Sequence, residues 1–295
     1  METSDGAVVV GVDGSDVAHE ALRWAAREAV ARRAPLHLIY AFNPPAAFYG
    51  GGLPAPQRFY DDLELAGKRL LEQALAAARE VSGDLVVTAE MPSGPPVPVL
   101  VEASRKARLI VLGASGRGGF AGMLVGSTAV GVSAHAHCAT VIVRGETARA
   151  GGPVVVGVDG SPVSERAIAA AFEAAARCDA PLVAVHAFSD GDFGGVYGTV
   201  PFLVDGSEIE QQEQRLLAEC LAGRREKYPD VLLEQVTVKD GPRPLLLDWA
   251  RRARLVVVGS RGRGGFAGLL LGSTSQALIH HAGCPVMIVR EDGGK

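Results

Sequence analysis

Three observations predict an α/β fold of two tandem doubly wound domains, each a five-stranded, mainly parallel sheet with helices on both faces. First, the chain repeats itself. GASGRGGFAGMLVGS at residues 113–127 returns as GSRGRGGFAGLLLGS at 259–273, an offset of 146 residues that also relates Asp13 to Asp159 in the two VVVGVDGS segments and Arg144 to Arg290. Second, short apolar β-branched runs alternate with stretches of helical period, which is the pattern of strands joined by helical crossovers. Third, each glycine-rich stretch follows an aliphatic run, 109–112 or 255–258, and leads into a helix-forming segment. A constant offset from one end of the unit to the other means a duplicated domain. The domains are expected at 1–146 and 152–295, joined by the short polar segment 145–153.

The elements follow in order. AVVVGVD at 7–13 reads as a central parallel strand buried on both faces. Ser15 is a helix N-cap, and Ala18, Ala21, Leu22, Ala25, Ala26, Ala29 and Val30 recur at three and four residues. In the second copy Ser161 precedes Pro162, a residue suited to the first helical position. Second strands are expected at 36–42 and 182–188. Long Gly/Pro/aromatic segments follow at 43–60 and 189–207, which read either as binding lids or as surface insertions. Long helices at about 61–82 and 207–228 lead to strands at 85–90 and 232–238. Short helices begin near Pro98 and Pro244 and end where Ala107-Arg108-Leu109 and Ala253-Arg254-Leu255 start the fourth strands. Fifth strands, 139–144 and 285–290, are expected at sheet edges. In such sheets ligands sit at the carboxyl ends of strands, where the strand order reverses.

Composition narrows the function. With 48% hydrophobic and 21% charged residues and a formal net charge of −4, the chain is an ordinary well-packed protein without a nucleic-acid footprint. METSDGAVVV lacks the basic and apolar regions of a signal peptide, and no apolar run is long enough to span a bilayer, so a cytoplasmic protein with no membrane partner is expected. Cys138, Cys178, Cys220 and Cys284 show no metal-ligand spacing; buried free thiols are the reading, with a disulfide or metal site as its alternative. His135 and His281, repeat equivalents near a helix end, suit the terminal carbonyls. His19, His37, His137, His186 and His280 form no ligand spacing.

The repeated motif carries the chemistry. A strand, a glycine turn and a helix start make an anion site, because glycines let backbone N–H groups approach a ligand and the first helical turn has unpaired amides. Asp13 and Asp159 read as ligand contacts or as turn residues, since Asp-Gly favours turns. Arg117 and Arg263 read as phosphate partners or as solvated charges.

With its two strand-Asp-Gly-Ser openings and two complete G-x2-G-x9-G-[ST] patterns, nearly the whole chain resembles the universal stress protein family, in particular its tandem two-domain members. The resemblance implies an adenine nucleotide alpha-hydrolase-like, Rossmann-type fold and one ATP per domain. It places Gly11, Asp13 and Ala41, with Gly157, Asp159 and Ala187, at the adenosine. Ribose and phosphates would fall to Gly113, Ala114, Ser115, Gly116, Arg117, Gly118, Gly119, Gly126, Ser127 and Thr128. Their counterparts are Gly259, Ser260, Arg261, Gly262, Arg263, Gly264, Gly265, Gly272, Ser273 and Thr274. Mg2+ is expected to be held through the phosphates and water. A homodimer and a stress-response or growth-regulating role also come from the resemblance.

No G-x4-G-K-[ST], kinase signature set or catalytic base is present, so an ATP-binding switch with an unknown protein partner is expected rather than an enzyme. A slow Mg-dependent ATPase or phosphotransferase and a structural dimerisation module are the alternatives. ATP would order 43–60 or 189–207 over the site. Where the first copy has Ser115, the second has Arg261, and the extra guanidinium should hold triphosphate more tightly. ATP titration of two variants, each retaining one site, checks this: the second site should bind more tightly, and equal affinities would refute it.

Overall fold

The computed structural model describes residues 5–44, 48–49, 53–54, 56–116, 125–144, 151–188, 206–263 and 270–291. The chain divides into two compact units, Met1–Arg144 and Gly145–Lys295.

In the first unit the central strand β1 (Val8–Gly11) lies between β2 (Leu36–Ile39) and β6 (Leu109–Gly113). Beyond them lie β5 (Val87–Glu90) and β7 (Ala139–Val143), which gives the order β5-β2-β1-β6-β7, parallel throughout. The second unit repeats it with β8 (Val154–Val158), β9 (Leu182–Phe188), β10 (Leu233–Lys239), β11 (Leu255–Gly259) and β12 (Val286–Val289), ordered β10-β9-β8-β11-β12. The predicted fold class is the observed one. Strands one and four of each unit run through its middle with almost every residue buried, which is why they read as unbroken apolar runs rather than alternating ones.

Helices fill both faces. In the first unit α1 (Asp16–Arg32) packs with α2 (Gln57–Val81), and α3 (Pro96–Ala103) with α4 (Ser127–His135); in the second, α5 (Pro162–Arg177) packs with α6 (Gly206–Lys227), and α7 (Pro242–Ala250) with α8 (Ser273–His281). The expected caps are present: Ser15 Oγ accepts from Ala18 N at 3.2 Å and Ser161 Oγ from Ser164 N at 3.2 Å. At the other end of α4, His135 Nδ1 donates to Gly131 O at 2.8 Å, the carbonyl-satisfying role expected of it.

Several boundaries differ from expectation for local reasons. The short helices begin at Pro96 and Pro242, two residues before the predicted prolines. Each pair of prolines falls within the first turn, where amides have no intrahelical acceptor and a missing N–H costs nothing. β2 ends at Ile39, and pairing resumes only in a single bridge between Phe42 and Ser93. Segment 43–60, read as a binding lid or a surface insertion, holds a short antiparallel pair, β3 (Phe48–Tyr49) and β4 (Leu53–Pro54), and the start of α2. Its counterpart falls at 189–205, outside the described residues.

Among the described residues no disulfide joins the four cysteines; Cys284 is buried, and Cys138, Cys178 and Cys220 are partly accessible. Burial pushes the Cys138 thiol up to about 12, opposed only in part by its hydrogen bonds with the backbone of Ile110 and Cys138. Among the described residues no helix is long and apolar enough to cross a membrane.

The core of the second unit centres on Phe172 of α5, fully buried and stacked on Tyr228 with ring centroids 5.8 Å apart. Phe172→Ala is expected to destabilise that unit by about 3–5 kcal/mol through lost burial and a residual cavity. Amide exchange in β8 and β9 should speed up while β1 and β2 keep their protection.

Candidate functional site

The strand order reverses between β1 and β6, and between β8 and β11: from one strand of each pair the chain runs outward to one edge of the unit, and from the other to the opposite edge. Their carboxyl ends therefore open side by side, and whatever follows each strand faces the same space. Asp13 follows β1, and the glycine stretch follows β6.

Asp13 is fixed by its own turn. Its Oδ1 accepts from Ser15 N at 3.0 Å and Ser15 Oγ at 2.7 Å, across Gly14 at φ 80°. That left-handed conformation favours glycine, and it leaves Oδ2 directed away from the turn toward Gly116: a Cβ at Gly116 would fall on Asp13 Oδ2. Asp159 repeats the arrangement. Its Oδ1 accepts from Ser161 N at 2.9 Å across Gly160 at φ 72°, and a Cβ at Gly262 would fall on its Oδ2. This Oδ2 also accepts from Arg263 N at 2.9 Å. The turn and ligand readings of these aspartates are thus compatible, because one carboxylate oxygen serves the turn and the other meets the glycine stretch.

The far end of each stretch is brought back to its start. Gly126 N donates to Ala114 O and Gly272 N to Ser260 O, both at 2.7 Å. Ala114 N and Ser260 N in turn donate to Val143 O at 2.8 Å and Val289 O at 2.6 Å, which ties each stretch to the neighbouring strand. The closure sets the N-termini of α4 and α8 beside Ser115–Gly116 and Arg261–Gly262. Gly126 and Gly272 are the N-caps and supply no side-chain cap, so Ser127, Thr128, Ser273 and Thr274 begin helices whose first amides point to the site. Arg117, Gly118, Gly119, Gly264 and Gly265 lie outside the described residues.

Other candidate glycines have a packing role. A Cβ at Gly113 would lie 3.0 Å from Val17 C and 3.1 Å from Ala18 N, and one at Gly259 2.9 Å from Val163 Cγ1. These residues let the fourth strand approach the first helix. Gly11 and Gly157 back onto leucines 112 and 100, and onto Leu246 and Val258, respectively. Ala41 follows β2 and Ala187 lies near the end of β9, each on the strand beside the central one.

The match of the universal stress protein family model to residues 6–144 and 152–290 covers both units. The chain belongs to the universal stress protein family. Universal stress protein Rv2623 of Mycobacterium tuberculosis is 40% identical over 291 residues, covering 96% of each chain, and Mb2028c of Mycobacterium bovis is 40% identical over 96% of this chain and 97% of its own. The crystal structure of a universal stress protein from Archaeoglobus fulgidus DSM 4304 superposes with a TM-score of 0.72 over 98% of this chain and 99% of that one, at 18% identity, and so shares the fold.

Within this universal stress protein the two units differ in charge. Beside Arg261 in the second unit stand Glu291, paired with it at 3.3 Å, and Arg290. Burial first, and then the charge of Arg261, push the Arg290 guanidinium below its ordinary value, with Glu291 opposing; at Arg144 in the first unit burial alone lowers it. The Arg263 guanidinium lies over Gly160, where a Cβ would meet it. Arg261 and Arg263 thus border Asp159 and the N-terminus of α8, although Glu291 already engages part of the positive charge.

Sequence reading missed two buried histidines. His37 Nδ1 lies 2.8 Å from Thr88 Oγ1 and its Nε2 3.3 Å from Glu90 Oε1, while His186 bridges Val158 O and Glu213. The available signal was a difference between the copies, since His186 stands where the first has Tyr40 and Glu213 where it has Gly67.

Gly116→Ala and Gly262→Ala test the site with the strand-helix packing left intact. Each Cβ displaces an aspartate oxygen, so each should weaken nucleotide binding in its own unit by about tenfold or more, with unchanged circular dichroism. Equilibrium binding of the two single variants checks it.

Proposed function

We propose that each unit binds one ATP and that the protein acts as a nucleotide-dependent switch in a stress response or in growth control. The observation that carries this reading is the meeting, in both units, of the Asp after the first strand with the first clear glycine after the fourth, beside a helix start with a glycine N-cap. The arrangement offers a carboxylate acceptor at one side and helix amides at the other, which suits a ligand with hydroxyl or amino donors and an anionic tail.

Asp13 and Asp159, with the backbone at Ala41 and Ala187, would border the adenosine. The amides of Ser127, Thr128, Ser273 and Thr274 would take the phosphates. Mg2+, if bound, would be held by the phosphates and water and would neutralise their charge; among the described residues no cluster of three acidic, histidine or cysteine side chains offers a protein cage. The absence of a positioned base in the sequence supports a binding rather than a catalytic role. ATP would shift the protein between states only by its difference in affinity for them. A homodimer and a cytoplasmic setting belong to the same proposal.

The test is nucleotide content and turnover on one purified sample. Released ligand is identified by mass, and phosphate is then followed with added Mg2+ and ATP. Close to two ATP per chain with negligible turnover, falling when Gly116 and Gly262 are both replaced by alanine, is the expected result. Rapid turnover would refute the switch reading in favour of an enzyme, and no affinity for ATP would leave a structural module.

A further inference from the structure

Beneath the second site lies a buried ionisable pair that the first site lacks. His186 and Glu213 have side chains only 3% and 7% exposed, with Nε2 and Oε2 2.6 Å apart, while His186 Nδ1 lies 2.8 Å from Val158 O. A carbonyl only accepts, so Nδ1 carries a proton and donates it to Val158. The remaining contact shares a single proton between imidazole and carboxylate, and all three groups are satisfied.

The position of the pair matters more than its charge. Val158 is the last residue of β8 and immediately precedes Asp159; His186 immediately precedes Ala187; Glu213 belongs to α6. One imidazole therefore ties together the end of β8, the neighbouring strand β9 and the helix packed against β9. In the first unit Tyr40 and Gly67 hold the corresponding positions, each 146 residues earlier. A Cβ at Gly67 would come 2.7 Å from Tyr40 Cε1, so the ring fills the room that glycine leaves. The first unit packs its strand end against the helix by shape, and the second fastens it by hydrogen bonds.

We infer that His186 and Glu213 are positioning residues for the second nucleotide site, holding the Val158 carbonyl and with it Asp159 in the binding geometry, and that the first site has no such control. The inference rests on the nucleotide reading proposed above. It also gives the two sites of one chain different responses to the same substitution. Glu213→Ala leaves His186 Nε2 buried without its partner and α6 unfastened. Glu213→Gln keeps the geometry, since an amide N–H donates to Nε2 while Nδ1 still donates to Val158.

The experiment measures ATP affinity in the full-length protein one site at a time. Gly116→Ala weakens the first site and Gly262→Ala the second, so each background reports mainly on the other site. With the first site weakened, Glu213→Ala should weaken second-site binding about tenfold and Glu213→Gln should restore it to within about twofold; with the second weakened, Glu213→Ala should leave first-site binding unchanged. The side-chain 15N resonances of His186, assigned by their loss in His186→Gln, should shift when ATP saturates the second site. That signature needs no Glu213 variant, so it decides the matter even if Glu213→Ala fails to fold. Unmoved resonances, unchanged second-site affinity in folded Glu213→Ala, equal losses at both sites, or no restoration by Glu213→Gln would each overturn the inference. A wild-type protein that binds no ATP would overturn the nucleotide reading itself, and this inference with it, before any variant is compared.

Discussion

The pairing of the first strand with the fourth is the constraint on which each unit depends. Val8, Val9 and Val10 lie in register with Leu109, Ile110 and Val111, and Val154, Val155 and Val156 with Leu255, Val256 and Val257. Parallel strands cannot be joined by a tight turn, so every connection must cross a face of the sheet as a helix, and the crossovers keep one hand. After moving from the first strand outward to the third, the chain returns to pair its fourth strand on the other side of the first. That reversal opens a gap between two helices leaving neighbouring strands in opposite directions. Asp13 and Asp159 stand beside that gap because they follow the first strand of each unit.

Glycine serves three different physical purposes around that gap. At Gly14 and Gly160 it permits the left-handed turn that orients the aspartate. At Gly113 and Gly259 it brings a strand against the backbone or first side chains of a helix. At Gly116 and Gly262 it lets the backbone pass against a carboxylate oxygen that a Cβ would displace. A motif that looks like one phosphate signature is thus a composite of folding and binding requirements. Substitutions within it will not all report on the ligand.

The fold was legible in the sequence because a strand buried on both faces must be apolar at every position, and because the duplication tested every assignment twice. Ser15, Ser161 and Pro162 marked their helix starts by local chemistry that tertiary context had no reason to override. The start of α3 was misplaced by two residues because Pro96 and Pro98 both satisfy the first turn and only packing chooses the frame. The neighbourhood of Asp13 and Gly116 was legible as a motif, but the division of labour between the two carboxylate oxygens was not, since it depends on a turn and a contact over a hundred residues apart in sequence. His186 and Glu213 carried no motif at all. Their association arises from the packing of α6 on β9, and a 27-residue separation has no periodic signature.

The contrast between Tyr40 with Gly67 and His186 with Glu213 bears on how the duplicated gene can change. Exchange of genetic material between the two copies is easy at the level of sequence, because they align without gaps over long stretches. A breakpoint between these paired positions, however, would set a tyrosine ring against a glutamate or leave an imidazole facing a glycine void. The first combination overfills the space and buries a carboxylate without its partner; the second strands a ring nitrogen. Second strand and following helix must therefore be inherited as a block. Such linkage limits which exchanges between the two halves leave a packed, hydrogen-bonded core.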